Sequence, residues 1–150
     1  MSTELSFIDR HCVPVAASPG MVWVALAQTL TRGSGSAGKS LFARILGCDD
    51  VAVKGSPLAE GSTVVGFHVT ETQPERRVVL AGRHRFSRYT LTFEFDGRTL
   101  SATTHAEFPG YHGGLYKLLV VGSRGHVLVV RRLLASTQRR SEELCRSAPS

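Results

Sequence analysis

Residues 86–108 read FSRYTLTFEFDGRTLSATTHAEF. In the first half, Tyr89, Leu91, Phe93 and Phe95 alternate with Arg88, Thr90, Thr92 and Glu94. That period of two marks a half-buried strand over Phe86 to Asp96. Asp96-Gly97 interrupts it and predicts a type I′ hairpin turn, which needs positive φ at both central positions. The chain then returns over Arg98 to Phe108, with Leu100, Ala102, Thr104, Ala106 and Phe108 on one side. A sheet with one apolar face has to cover that face.

Upstream, the same periodicity predicts strands at Arg77 to His84, reached through a turn at Pro74-Glu75, and at Gly61 to Thr70. In the latter, Thr63, Val65, Phe67 and Val69 share a face. Val51-Ala52-Val53 is a shorter strand. Within Ile8 to Ala17, the run His11-Cys12-Val13-Pro14-Val15 reads as the first strand. Pro14 places it at an edge or a strand end, because proline cannot donate to the ladder. The total is about six strands at meander spacing.

Two short helices follow the first strand. Ser18 is a good N-cap and Pro19 fits the first helical position, so a helix runs to about Leu30 with Val22, Trp23, Leu26 and Leu30. Trp23 is expected to anchor it in the core. Thr31 to Ser40 is a Gly/Ser-rich loop, and Leu41 to Leu46 forms a second helix stopped by Gly47. After Pro109-Gly110 a long helix is predicted from about Gly113 to Glu143. Leu115, Leu119, Gly122, His126, Val129 and Leu133 make a continuous stripe along it. This is an α+β pattern: a curved antiparallel sheet wrapped around a long C-terminal helix.

Composition bounds the function. The 150 residues suit one domain spanning 1–150, and their hydrophobic fraction of 42% suits an ordinary globular core. No apolar run approaches a membrane span, and the start of the chain lacks a signal-peptide pattern, so a cytoplasmic protein is expected. The three cysteines, Cys12, Cys48 and Cys145, are odd in number and widely spaced, which points to free thiols. A net charge of +6 raises nucleic acid as a partner, but no recognition motif accompanies it. The clusters Arg83, Arg85, Arg88 and Arg131, Arg132, Arg139, Arg140 read as solvated surface.

Some motifs suggest chemistry. Gly33 to Ser40 (GSGSAGKS) matches the phosphate-binding pattern G-x-x-x-x-G-K-S. That pattern works between a strand and a helix, whereas Ser18-Pro19 opens a helix ahead of it, and no parallel sheet is indicated. A flexible loop is the better reading, with nucleotide binding as the alternative. His105 and Glu107 share a strand face, expected to be the solvent face, and form no metal signature. His126 sits on the apolar stripe and is either a core histidine or a polar group that meets a ligand. Tyr89 lies on the inward face and could offer its phenol to the same space. The parity of Arg83 and Arg85 depends on whether Gly82 bulges.

The whole order resembles the helix-grip fold of the START-like superfamily, also called SRPBCC. That superfamily includes polyketide cyclases/dehydrases, lipid-transfer domains and plant pathogenesis-related allergens. The resemblance is carried by Ser18-Pro19-Gly20-Met21-Val22-Trp23, similar to an S-P-x-x-V-W start of the first helix. Phe108-Pro109-Gly110 through Leu115-Tyr116-Lys117-Leu118-Leu119 is similar to the approach to the family's last helix. It covers about residues 6 to 143, and the Gly/Ser segment 33–40 departs from it. The resemblance implies a cavity between sheet and long helix for a small hydrophobic, lipid- or polyketide-like molecule, with no fixed catalytic set. Tyr89, Phe67, Phe93, Thr104, Tyr116, Leu119 and His126 are the expected lining residues. No metal or cofactor is implied, and a cyclase- or dehydratase-type enzyme in the same cavity is the alternative. A monomer or homodimer is expected.

Overall fold

The computed structural model describes residues 5–32, 58–64, 67–84, 87–107 and 125–147. Strand β1 (Ser6–Pro14) is followed by helix α1 (Pro19–Arg32). Next come β2 (Thr63–Val64), β3 (Phe67–Gln73), β4 (Arg77–His84), β5 (Ser87–Phe95) and β6 (Thr99–Glu107). Helix α2 (Gly125–Ser147) closes the described chain. All neighbouring strands pair antiparallel, in the order β1-β6-β5-β4-β3-β2. The result is an α+β structure whose meander runs back until β6 meets β1.

The deciding hairpin forms with a different turn from the expected one. Phe95 pairs with Leu100, and the Asp96 amide donates to the Thr99 carbonyl at 3.3 Å, so Gly97 and Arg98 are the central residues. Gly97 has φ 99, and it is the only positive φ in the turn. A single positive φ excludes the type I′ turn predicted from Asp96-Gly97, which needs two. The cause is the Asp96 side chain. From the position before the turn, its Oδ1 accepts the amides of Thr99 at 2.7 Å and Arg98 at 2.8 Å.

The predicted strand over Gly61 to Thr70 is two strands. β2 and β3 pair with each other, Val64 opposite Phe67 and Thr63 opposite His68. β3 then runs on to Gln73, with an irregularity between Val69 and Glu71 that leaves Thr70 as an extra residue. Its partner β4 is reached through Pro74-Glu75: the Arg76 amide donates to the Gln73 carbonyl at 3.0 Å and Glu75 has φ 66, a type II pattern. The predictions for Leu41 to Leu46, Val51 to Val53 and the loop 33–40 fall outside the described residues.

Helix α1 begins as the sequence indicates. The Ser18 carbonyl accepts the Val22 amide at 3.0 Å, and Pro19 is the first helical residue. Val22, Ala25, Leu26, Thr29 and Leu30 are buried, and the Thr29 hydroxyl donates to the Ala25 carbonyl at 2.8 Å. Trp23 is only partly buried and packs against the rim of the core.

The two helices pack together, and α2 also lies on β1 and β6. The buried line of α2 is Val130, Leu134, Thr137 and Ser141, with Leu134 one position on from Leu133 of the predicted stripe, and the side chains of His126 and Val129 lie outside the described residues. Leu133 is partly buried beside the core. The line is half polar, so counting apolar residues misses it. Its hydroxyls are satisfied inside the helix: Thr137 donates to the Leu133 carbonyl at 2.8 Å and Ser141 to that of Thr137 at 2.7 Å. Gln138 donates to the Pro14 carbonyl at 2.7 Å, and the Ala16 amide donates to Glu142 at 3.3 Å, which ties α2 to the end of β1.

Two outcomes test this description. Leu134→Ala removes a fully buried side chain and is expected to cost roughly 2–5 kcal/mol in chemical unfolding, whereas Leu128→Ala, at an exposed site, stays within about 0.5 kcal/mol. The amides of Thr99 and Arg98 hold the Asp96 carboxyl below its ordinary value of 3.8. A depressed carboxyl stabilises the fold above that value and loses its contribution as pH falls through the folded pKa. In Asp96→Asn, whose side-chain oxygen accepts the same bonds without titrating, urea midpoints should therefore fall less steeply with acid than in wild type.

Candidate functional site

Period-two geometry sorts the sheet into a core face and an outer face. Cross-strand pairs share a face, so Tyr89 with Ala106, Leu91 with Thr104, Phe93 with Ala102 and Phe95 with Leu100 all point to the core. Phe67, Tyr89, Phe93 and Thr104, four of the expected lining residues, are buried there. Tyr116 and Leu119 lie outside the described residues. His126 is the second residue of α2, and its side chain is outside them too.

Tyr89 owes its position to a missing side chain. Gly82 sits directly opposite it with no break in the β4–β5 register, so Gly82 does not bulge. A Cβ built on Gly82 would lie 2.2 Å from Cε2 of the Tyr89 ring and 2.7 Å from its hydroxyl. The ring therefore covers the glycine backbone and leans towards β3, where it meets Phe67 edge to face with centroids 5.2 Å apart. The regular register also aligns Arg83 with Arg88, one step off the Gly82–Tyr89 pair. Arg85 lies outside the described residues.

A second polar group on the core face was not expected from the sequence. Ser6 pairs with Ala106 and Phe7 with His105, but Asp9, not Ile8, pairs with Thr104. The extra residue reverses the parity of β1. Asp9, His11 and Val13 then share the core face with Thr104, Ala102 and Leu100, while Arg10 and Cys12 are exposed. His11 Nε2 lies 3.1 Å from Asp9 Oδ2, and the two side chains are 17% and 19% exposed. A strict alternation drawn from Phe7 puts both on the outer face, and no local residue pattern marks the bulge.

The core face thus has two polar ends. Tyr89 lies over β4, and Asp9 and His11 lie on β1, three strand spacings or about 14 Å away. Between them Leu91, Phe93, Ala102 and Ala106 form an apolar floor, all of them buried.

The outer face is different in kind. A cleft of about 690 Å³ lies where the β3–β4 and β5–β6 turns approach Pro19, with Arg10, Arg77, Glu94 and Ser101 among its lining. Its charges compensate one another, since Arg77 lies 3.7 Å from Glu71 and 3.8 Å from Glu94. His105 and Glu107 are on this face as expected, the His105 ring meeting Phe7 edge to face at 5.9 Å. Arg131, Arg132 and Arg139 are exposed on α2. Cys12 and Cys145 are free and exposed. Helix α1 occupies the residues immediately before Gly33, where a phosphate-binding loop requires a strand, and the described strands are all antiparallel. Among the described residues, no helix is long and apolar enough to cross a membrane.

No protein-family model and no curated protein sequence matches the chain. Solved structures do. The di-domain ARO/CYC BexL from the BE-7585A biosynthetic pathway matches with a TM-score of 0.53 at 16% identity, over 99% of this chain and 52% of that one, so the chain spans about half its length. The polyketide cyclase-like protein Cgl2372 from Corynebacterium glutamicum matches at 0.51 and 14% identity, over 99% of both chains. TTHA0849 from Thermus thermophilus matches at 0.52 and 21% identity, over 93% of this chain and 98% of that one. The chain shares the helix-grip fold of these proteins.

Gly82→Ala should displace the Tyr89 ring and cost about 1–3 kcal/mol. In a Tyr89→Ala background the same substitution should cost much less, and a double-mutant cycle of unfolding free energies measures the difference.

Proposed function

We propose that this protein binds a small, largely apolar molecule on the core face of its sheet, beneath the C-terminal helix. The observation that carries the reading is the floor itself. Aromatic side chains at Phe67, Tyr89 and Phe93 stand beside the small side chains Ala102, Thr104 and Ala106 of β6. Large and small side chains together make an apolar floor of uneven height. Tyr116, Leu119 and His126 are proposed as further lining residues.

The structural neighbours support the same reading in general terms, since two of them carry cyclase names. A ring-closing or dehydrating enzyme in this space is the second reading, favoured by the polar groups at the two ends of the floor. It would need an acid or base within reach of the ligand. The fold alone does not choose between carriage and reaction, because unrelated functions share folds of this kind.

Native mass spectrometry of the purified protein should reveal a bound apolar molecule. Binding of the dye 1-anilinonaphthalene-8-sulfonate gives a second readout. Thr104→Leu adds bulk on the core face and should weaken the dye about tenfold, while Thr103→Leu, one step along on the outer face, leaves it unchanged. A dye that ignores both substitutions would sink the proposal.

A further inference from the structure

We infer that Asp9 and His11 form a hydroxyl-recognising pair at the β1 side of the core face, taking the acidic O–H of an otherwise apolar ligand; this rests on the binding reading above. The first argument is placement. The bulge between Phe7 and Asp9 turns both side chains towards the core, opposite the buried Thr104 and Ala102. Bulges recur beside functional sites because they re-aim a side chain in this way. Without the extra residue, both would stand on the outer face with Arg10 between them pointing in.

The second argument is cost. Ile8 and Val13, to either side of the pair, pack against the apolar core. With 17% and 19% of their side chains exposed, His11 and Asp9 have given up most of their water. A partly buried hydrogen-bonded polar pair rarely gains stability over apolar residues of the same size. Among the described side chains of this face, they and Tyr89 are the only ionisable groups, and Tyr89 leans the other way, over Gly82.

The third argument is chemistry. In the tautomer in which His11 donates to Asp9 Oδ2, Nε2 carries the hydrogen. That leaves Nδ1 with its lone pair as an acceptor. A ligand O–H donates to it, and where the proton crosses to nitrogen, the imidazolium is paired by the Asp9 carboxylate and the ligand is left as the oxyanion. His11 is the group that touches the ligand, and Asp9 is a positioning residue that fixes its tautomer. The ligand class is a phenol or enol on an apolar frame.

Naphthalene and 2-naphthol test this, having one ring system without and with the acidic hydroxyl. By calorimetry, wild type should bind 2-naphthol about tenfold tighter than naphthalene. Asp9→Asn and His11→Gln should each abolish that preference, while Thr103→Leu, on the outer face, keeps it. In wild-type protein, the His11 ring signals in NMR spectra should move with 2-naphthol and stay put with naphthalene, a readout that does not depend on any variant folding. Equal binding of both probes, an unchanged preference in the variants, or unmoved ring signals overturns the pair while leaving the binding site in place. If neither probe binds, the binding reading itself fails and takes the pair with it.

Discussion

The Asp96 carboxylate, by accepting two amides of a two-residue turn, fixes Phe95 opposite Leu100. A slip of one residue at that turn would send every side chain of β5 and β6 to the opposite face. Because β4 and β1 take their register from these two strands, the choice propagates across the sheet. Val78 and Leu80 meet Phe93 and Leu91 on one side, and Val13 meets Leu100 on the other. The helices then cover a face whose composition has already been settled by the hairpin.

Against that regular background, two departures decide which polar groups reach the interior. Gly82 omits a side chain and lets a phenol lie across β4. The bulge after Phe7 adds a residue and brings in a carboxylate and an imidazole. Both are single-residue devices on strands that otherwise follow strict alternation. They put polar chemistry at the two ends of an apolar surface, the arrangement a site needs to hold a mostly apolar molecule in one orientation.

Much of the fold was legible in the sequence. Alternation in 86–108 is strong because both strands have a buried and a solvated face, and Ser18-Pro19 marks a helix start by a local mechanism. Of the expected lining residues, Phe67, Tyr89, Phe93 and Thr104 lie on the core face because parity alone places them there. What escaped was whatever parity and hydropathy cannot express. The hairpin inside 61–70 interrupts an alternation that reads as continuous. The α2 line runs through Thr137 and Ser141, whose hydroxyls are paired within the helix and so bury cheaply. Asp9 and His11 carry no such mark, because a bulge has no residue signature and two polar residues flanking Arg10 read as surface.

The order of pairing has a further consequence for how the chain assembles. Strands β2 to β6 join neighbours in sequence, whereas β1 must find β6 across the span from Pro14 to Thr99. During synthesis β1 therefore leaves the ribosome before β6 and waits for it while the strands between are made. Asp9, Arg10 and His11 in its middle keep that waiting strand from being a continuous sticky segment. The polar residues proposed to greet a ligand in the finished protein would thus also serve as the solubilising guard of the strand that waits for its partner.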